Sequence, residues 1–159
     1  MSKPIFKTTS QNEFIIYDTG DISKYIELQF VPMDRSITPS QSLNKSQPIN
    51  RNAPYPHITG FEEEVKFTAI FHMDDGDYIE NTVRPFFFNR MMSQSYTVKH
   101  PRVGIKWGTA TSNYFTDKQF IVTGCDEKSQ LYDINGNSYH ISLELSFLRV
   151  VDVNFYPSF

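Results

Sequence analysis

The chain has 159 residues, 15 Lys and Arg against 18 Asp and Glu, a net charge of −3 at pH 7, and 15% aromatic residues. That length suits one domain with a real core, while the acidic balance argues against non-specific binding to nucleic acid or to an anionic membrane. The lone Cys125 has no internal disulfide partner, residues 1–20 lack the features of a secretory signal, and no apolar run approaches the ~18 residues needed to cross a bilayer; folding in a reducing cytoplasm is the expectation.

Fourteen Phe and nine Tyr favour half-buried pleated surfaces, which leans the class toward β. Residues 1–13 read as a polar arm, 14–152 as a single domain and 153–159 as a tail. "EFIIYDTG" and "KYIELQFVP" read as two strands, the second placing Ile26, Leu28 and Phe30 on one face and stopping at Pro32. Residues 33–60 hold four of the nine prolines with many Ser, Asn and Gln, and read as a long inter-strand loop. "EEVKFTAIFHM" then alternates strictly, with Val65, Phe67, Ala69, Phe71 and Met73 on one side.

Between about Tyr78 and Met92 the period changes to three and four residues behind an acidic turn, which predicts a helix kinked or restarted near Pro85. "RVGIKWG" is a strand, and "KQFIVTGCDEKSQLYD" a long strand or strand pair with a bulge near Gly124. Asn135-Gly136 predicts a hairpin with a type I′ turn. Beyond it Tyr139, Ile141, Leu143, Leu145 and Phe147 alternate with polar residues.

Candidate chemistry is sparse. His57, His72, His100 and His140 lack metal-ligand spacing, and His72 and His140 fall on polar strand faces. Nothing local activates Cys125, which reads as a small core residue. Asp74–Asp77 lacks the ligand register of a calcium loop and reads as a turn before the helix. Of Glu62, Glu63 and Glu64, only Glu62 and Glu64 share a face, and that face reads as solvated. No phosphate-binding loop is present, and Asn44 heads a glycosylation triplet that means nothing without secretion. No catalytic residue, metal or cofactor is assigned. One alternative is a carbohydrate- or ligand-binding β domain using Tyr55, His57, Trp107 and Tyr114 as an aromatic platform; another, weaker, is a metal-dependent enzyme using His57 with Glu62 or Glu64.

The order of strand, Pro, Arg-Ser, polar passage, "PINRNAPYPHITGFEEEVKFTAIF", acidic turn, helix, "HPRVGIKWG" and final hairpin resembles tail-tube-like proteins of contractile phage tails and related injection machines. Within them it resembles the tube-initiator and tail-adaptor group of the baseplate, some members of which carry a C-terminal LysM domain. The residues carrying the likeness are Pro48, Ile49, Arg51, Asn52, Pro54, His57, Thr59, Gly60 and Glu62, then Pro101, Arg102, Val103, Trp107 and Gly108. Family members often have two glycines before the glutamate, whereas Phe61 follows Gly60 here; and the sequence stops at "VNFYPSF", so peptidoglycan binding is not carried over.

The resemblance implies an antiparallel β-sandwich or half-barrel with one flanking α-helix. It also implies a non-catalytic virion protein of the tail tube or baseplate, assembled in the host cytoplasm. The partners it implies are other copies in a hexameric ring and adjacent tube and baseplate proteins, with DNA only as cargo through the lumen. The subunit interface would then lie on the passage 33–60, through Arg35, Pro48, Ile49, Arg51, Asn52, Pro54, Tyr55, His57, Thr59 and Gly60.

Overall fold

A computed structural model describes residues 14–46, 55–72, 78–92, 101–136 and 138–150, without the side chains at 44, 46 and 55–59. The expectations for the N-terminal arm, Asp74–Asp77, His100 and the residues after Val150 lie outside the described residues. Seven strands form one antiparallel sheet: β1 (Phe14–Asp18), β2 (Tyr25–Glu27), β3 (Ser36–Ser46), β4 (Tyr55–His72), β5 (Val103–Trp107), β6 (Gln119–Tyr132) and β7 (Ser138–Val150). Their order across the sheet is β2-β1-β5-β6-β7-β4-β3.

The sheet curls onto itself. Trp107 of β5 meets Phe67 of β4 edge to face at 5.1 Å, although β6 and β7 separate those strands in the order. Just beyond β2, the Gln29 side-chain amide donates to the His72 carbonyl and its oxygen accepts from the His72 N–H, both at 2.6 Å. A side chain thus imitates a neighbouring strand at an edge that β3 has ceased to cover, since the last β3–β4 pair is Ser36 with Lys66. The core fills the curl: Val65, Phe67, Ala69 and Phe71 from β4 and Ile141, Leu143, Leu145 and Phe147 from β7 are buried with Ile16, Ile26, Leu28, Val103 and Phe120. Alternation in β4 and β7 produces this arrangement, because successive strand residues point to opposite faces. Phe30, expected on the inner face after Leu28, is instead 48% exposed because the strand has already ended at Glu27.

The two sides of the sheet are joined at β5–β6 by a single register pair, Val103 with Phe120. A helical segment, α1 (Ile79–Val83) and α2 (Pro85–Met91), reinforces that junction. Both pieces are wound wide, with the Arg84 N–H donating to the Ile79 carbonyl and the Met92 N–H to that of Phe87. The break falls where Pro85 lacks a donor and crowds the preceding turn, as expected. Ile79, Val83, Phe86, Phe87 and Met91 face the core. On the other face, the Arg84 guanidinium pairs with Glu80 and with Glu127 of β6, and Arg90 pairs with Asp18 of β1 at 2.7 Å. The helix therefore holds β1 and β6 together by charge as well as by packing.

Three local expectations are refined. The register shift in β6 falls between Val122 and Gly124, where a bulge was expected. The β6–β7 turn is not type I′: Gly136 alone has positive φ, at 85°, while the Gly136 N–H donates to the Asp133 carbonyl and the Asn135 N–H to Asp133 Oδ1. An Asx turn plus one left-handed glycine does the work of two positive-φ residues. The largest correction concerns 33–60. Ser36–Ser46 and Tyr55 onward are strands, because Thr38 to Leu43 are exposed one after another and mostly polar residues satisfy such a ribbon; within 33–60 only the backbone of 47–54 lies outside the described residues.

Candidate functional site

Among the described residues, β4 pairs with β7 only from Glu64 onward, whereas β3 follows it back to Tyr55. The pairs from Pro39–Glu63 to Ser46–Tyr55 therefore form a two-stranded arm beyond the sheet body. At ~3.3 Å per residue it projects roughly 25 Å. A bulge in the arm opposes Ser42 to Gly60 and Leu43 to Ile58, leaving Thr59 as the extra residue. Such a bulge adds local twist and bends the ribbon. Pro39 fits here because β3 is an edge strand, where a missing donor costs little. Phe61, which stands where family members often have a second glycine, sits in ordinary extended strand and is 46% exposed; Leu43 is 54% exposed.

Of the predicted interface residues, Tyr55, His57 and Thr59 lie in the arm's backbone, with Tyr55 opposite Ser46 and His57 opposite Asn44, and Gly60 is beside them. Pro48, Ile49, Arg51, Asn52 and Pro54 fall outside the described residues. Arg35 stands apart, at the foot of the arm. Its guanidinium carbon lies 5.3 Å from the Trp107 ring centre, 5.9 Å from Tyr114 and 5.5 Å from Phe115. Among the described residues it makes no hydrogen bond. Lys118 Nζ lies 3.7 Å from the Tyr114 ring centre. Such cation–π contacts hold a charge by its flat face or head and leave its donors free.

Glu63 completes the foot. It is 8% exposed and accepts from Arg149 Nη1 at 3.0 Å. Burial raises the Tyr114 hydroxyl pKa, and the nearby Glu63 carboxylate raises it further. The Tyr114 hydroxyl nevertheless has no partner in hydrogen-bonding geometry. Burial lowers the Lys118 pKa, and repulsion from Arg149 adds to this. Among the described residues, the foot thus gathers Arg35, Lys118 and Arg149 around a single carboxylate. Arg149 was overlooked in the sequence and Glu63 was given no role, yet the signal was there: extending the Val65–Phe67 and Leu145–Phe147 alternations by one step puts both on the inner face.

Trp107 and Tyr114 are brought together, but as a wall. Phe14, Phe67 and Phe115 pack on Trp107 at 5.2, 5.1 and 5.0 Å, and Arg35 occupies the remaining approach. His72 and His140 are cross-strand neighbours with rings 5.6 Å apart. Among the described residues no three His, Cys, Asp or Glu side chains converge as metal ligands. Cys125 is half-buried and packed against the core, and burial pushes its thiol pKa up to about 12, so it is a poor nucleophile.

No family model and no curated protein matches the chain. Among solved structures, a chain in the tail of an empty gene transfer agent particle, determined with C6 symmetry, is 14% identical, with a TM-score of 0.47 over 92% of this chain and 96% of that one. A chain in the virion of a native gene transfer agent particle is 13% identical, with a TM-score of 0.45 over 91% and 96% of the two chains.

Proposed function

We propose that the chain is a non-catalytic structural subunit of a phage-type tail. It would form a hexameric ring at the tube or baseplate hub, through which DNA passes, with its arm lying on a neighbouring subunit. The observation that carries this reading is the arm. An isolated two-stranded hairpin is marginal in water because it has no second layer on which to bury a face. This one projects from the body with Leu43 and Phe61 exposed. A neighbour's surface would supply the missing layer. The edge of β3, unpaired among the described residues, favours the same reading, since ring closure is one means of removing exposed edges. The sequence resemblance supplies the tail context.

The decisive experiment is electron microscopy of the purified protein, alone and co-expressed with adjacent tube and baseplate proteins. Six-fold rings are expected. Particles that remain monomeric in every combination would remove the reading.

A further inference from the structure

We infer that the foot of the arm, formed by Arg35, Lys118 and Tyr114, accepts a carboxylate from a second copy of this chain, namely Glu62 on that copy's arm. This rests on the self-association proposed above and adds its chemical partner.

The inference starts from what is left unused. A guanidinium carries five donors and bonds a carboxylate through two of them in parallel. In Arg35 the ring contacts with Trp107, Tyr114 and Phe115 hold the side chain, and none of those donors meets an acceptor among the described residues. Lys118 is likewise held by the Tyr114 ring and, although it feels the Glu63 carboxylate, forms no ion pair among the described residues. Among the described residues the one acidic group in the cluster, Glu63, is already taken by Arg149. The Tyr114 hydroxyl, buried beside the Glu63 carboxylate but outside hydrogen-bonding geometry with any described residue, adds a neutral donor beside the two cations. Preorganised donors of this kind favour one anionic group over a bulky polyanion.

Charge complementarity names the occupant. The whole chain is acidic at −3, so a local excess of positive charge matches the chain's own surface. Glu62 is exposed on the arm, opposite Ser40, and has no ion pair among the described residues; its neighbour Glu64 is already beside Lys66 at 3.4 Å. The arm is also the element that the proposed assembly lays across a neighbour. A heterologous contact of this type, arm to foot, repeats around a ring.

The test is a charge exchange read by sedimentation velocity across a concentration series. Glu62→Arg lies on an exposed position and leaves the fold intact. It should raise the concentration needed for assembly about tenfold, and added salt should weaken the wild type in the same sense. Arg35→Glu should do likewise, with near-ultraviolet circular dichroism reporting whether the aromatic wall survives. Combining Arg35→Glu with Glu62→Arg should restore most of the loss. An assembling wild type that is indifferent to Glu62→Arg overturns the inference and leaves the self-association standing. A double variant no better than its parents also overturns it. A monomeric wild type removes the self-association, and this contact with it. Asp126→Lys, at another exposed carboxylate, is the control; disruption by it, with rescue by Arg35→Glu, would assign the site to a different partner and sink the Glu62 pairing.

Discussion

β4 contains two different kinds of strand. From Glu63 to Phe71 every second side chain is buried, and β7 covers the backbone on one side. From Tyr55 to Glu62 the strand bonds, among the described residues, only to β3, and Phe61 and Glu62 stand in solvent. The first kind is stabilised by apolar area removed from water, the second by backbone hydrogen bonds whose net worth is small. The difference implies a division of labour in which one half of the strand holds the fold and the other half meets a partner. Substitutions in the two halves should therefore separate stability from assembly.

The largest effect is expected in the buried half. Phe71 is fully buried and lies against Tyr78 in front of the helix. Phe71→Ala should cost about 3–5 kcal/mol, as large-to-small changes at aromatic core positions do. Chemical denaturation with an unchanged slope would check it; a loss below about 1 kcal/mol would mean that this half is not the core it appears to be by burial.

A second test addresses the β1–β5 pairing, next to the weak junction between β5 and β6. Gly104 pairs with Tyr17 on β1, and a Cβ at Gly104 would come within 2.3 Å of the Tyr17 ring. The ring must swing away in Gly104→Ala, for about 1–3 kcal/mol as in other overpacked sites. Tyr17→Ala in the same chain should recover part of that loss, measured as a double-mutant cycle. Additive effects would mean that the ring is not the obstacle.

The salt bridges across that junction should matter somewhat less and should titrate. Arg84, with Glu127 of β6 as its main partner, lowers the Glu127 carboxyl pKa below its ordinary value of 4.5. A carboxyl with a depressed folded pKa contributes stability above its unfolded pKa, and loses it as pH falls through the folded value. Arg84→Met should therefore cost roughly 1–3 kcal/mol at pH 7, since it strands a mostly buried carboxylate. The gap to wild type should narrow as pH falls below about 4.5. A gap that stays constant from pH 7 to 3 would locate the effect in packing of the arginine stem.

The body was legible in the sequence because burial writes a period into it. Ile141 to Phe147 alternate, Ile79 to Met91 recur at helical spacing, and Pro85 marks the break. The arm was illegible for the converse reason. Ser40, Gln41 and Ser42 are exposed in turn, so neither face demands apolar residues and no alternation develops. Pro39 argued against a strand, yet an edge position tolerates it. Arg35 was named from its place in the chain, but its resting place on Trp107, Tyr114 and Phe115 depends on long-range curling that no local pattern contains.

The smallest effect on stability belongs to the arm, and it bears most directly on function. Leu43 and Phe61 lie on neighbouring strands and are each about half exposed, so Leu43→Ser with Phe61→Ser removes little that the isolated chain has buried. Monomer stability should shift by no more than about 0.5 kcal/mol for each change, the usual range at exposed sites. If the arm gains its second layer from a neighbour, the same two changes should weaken assembly far more than they weaken the fold, because their apolar area is then buried only in the complex. Equilibrium unfolding and sedimentation of the same variant make the comparison. A variant that unfolds early and assembles normally would reverse the assignment, making the arm part of the fold and leaving the ring to be closed by another surface.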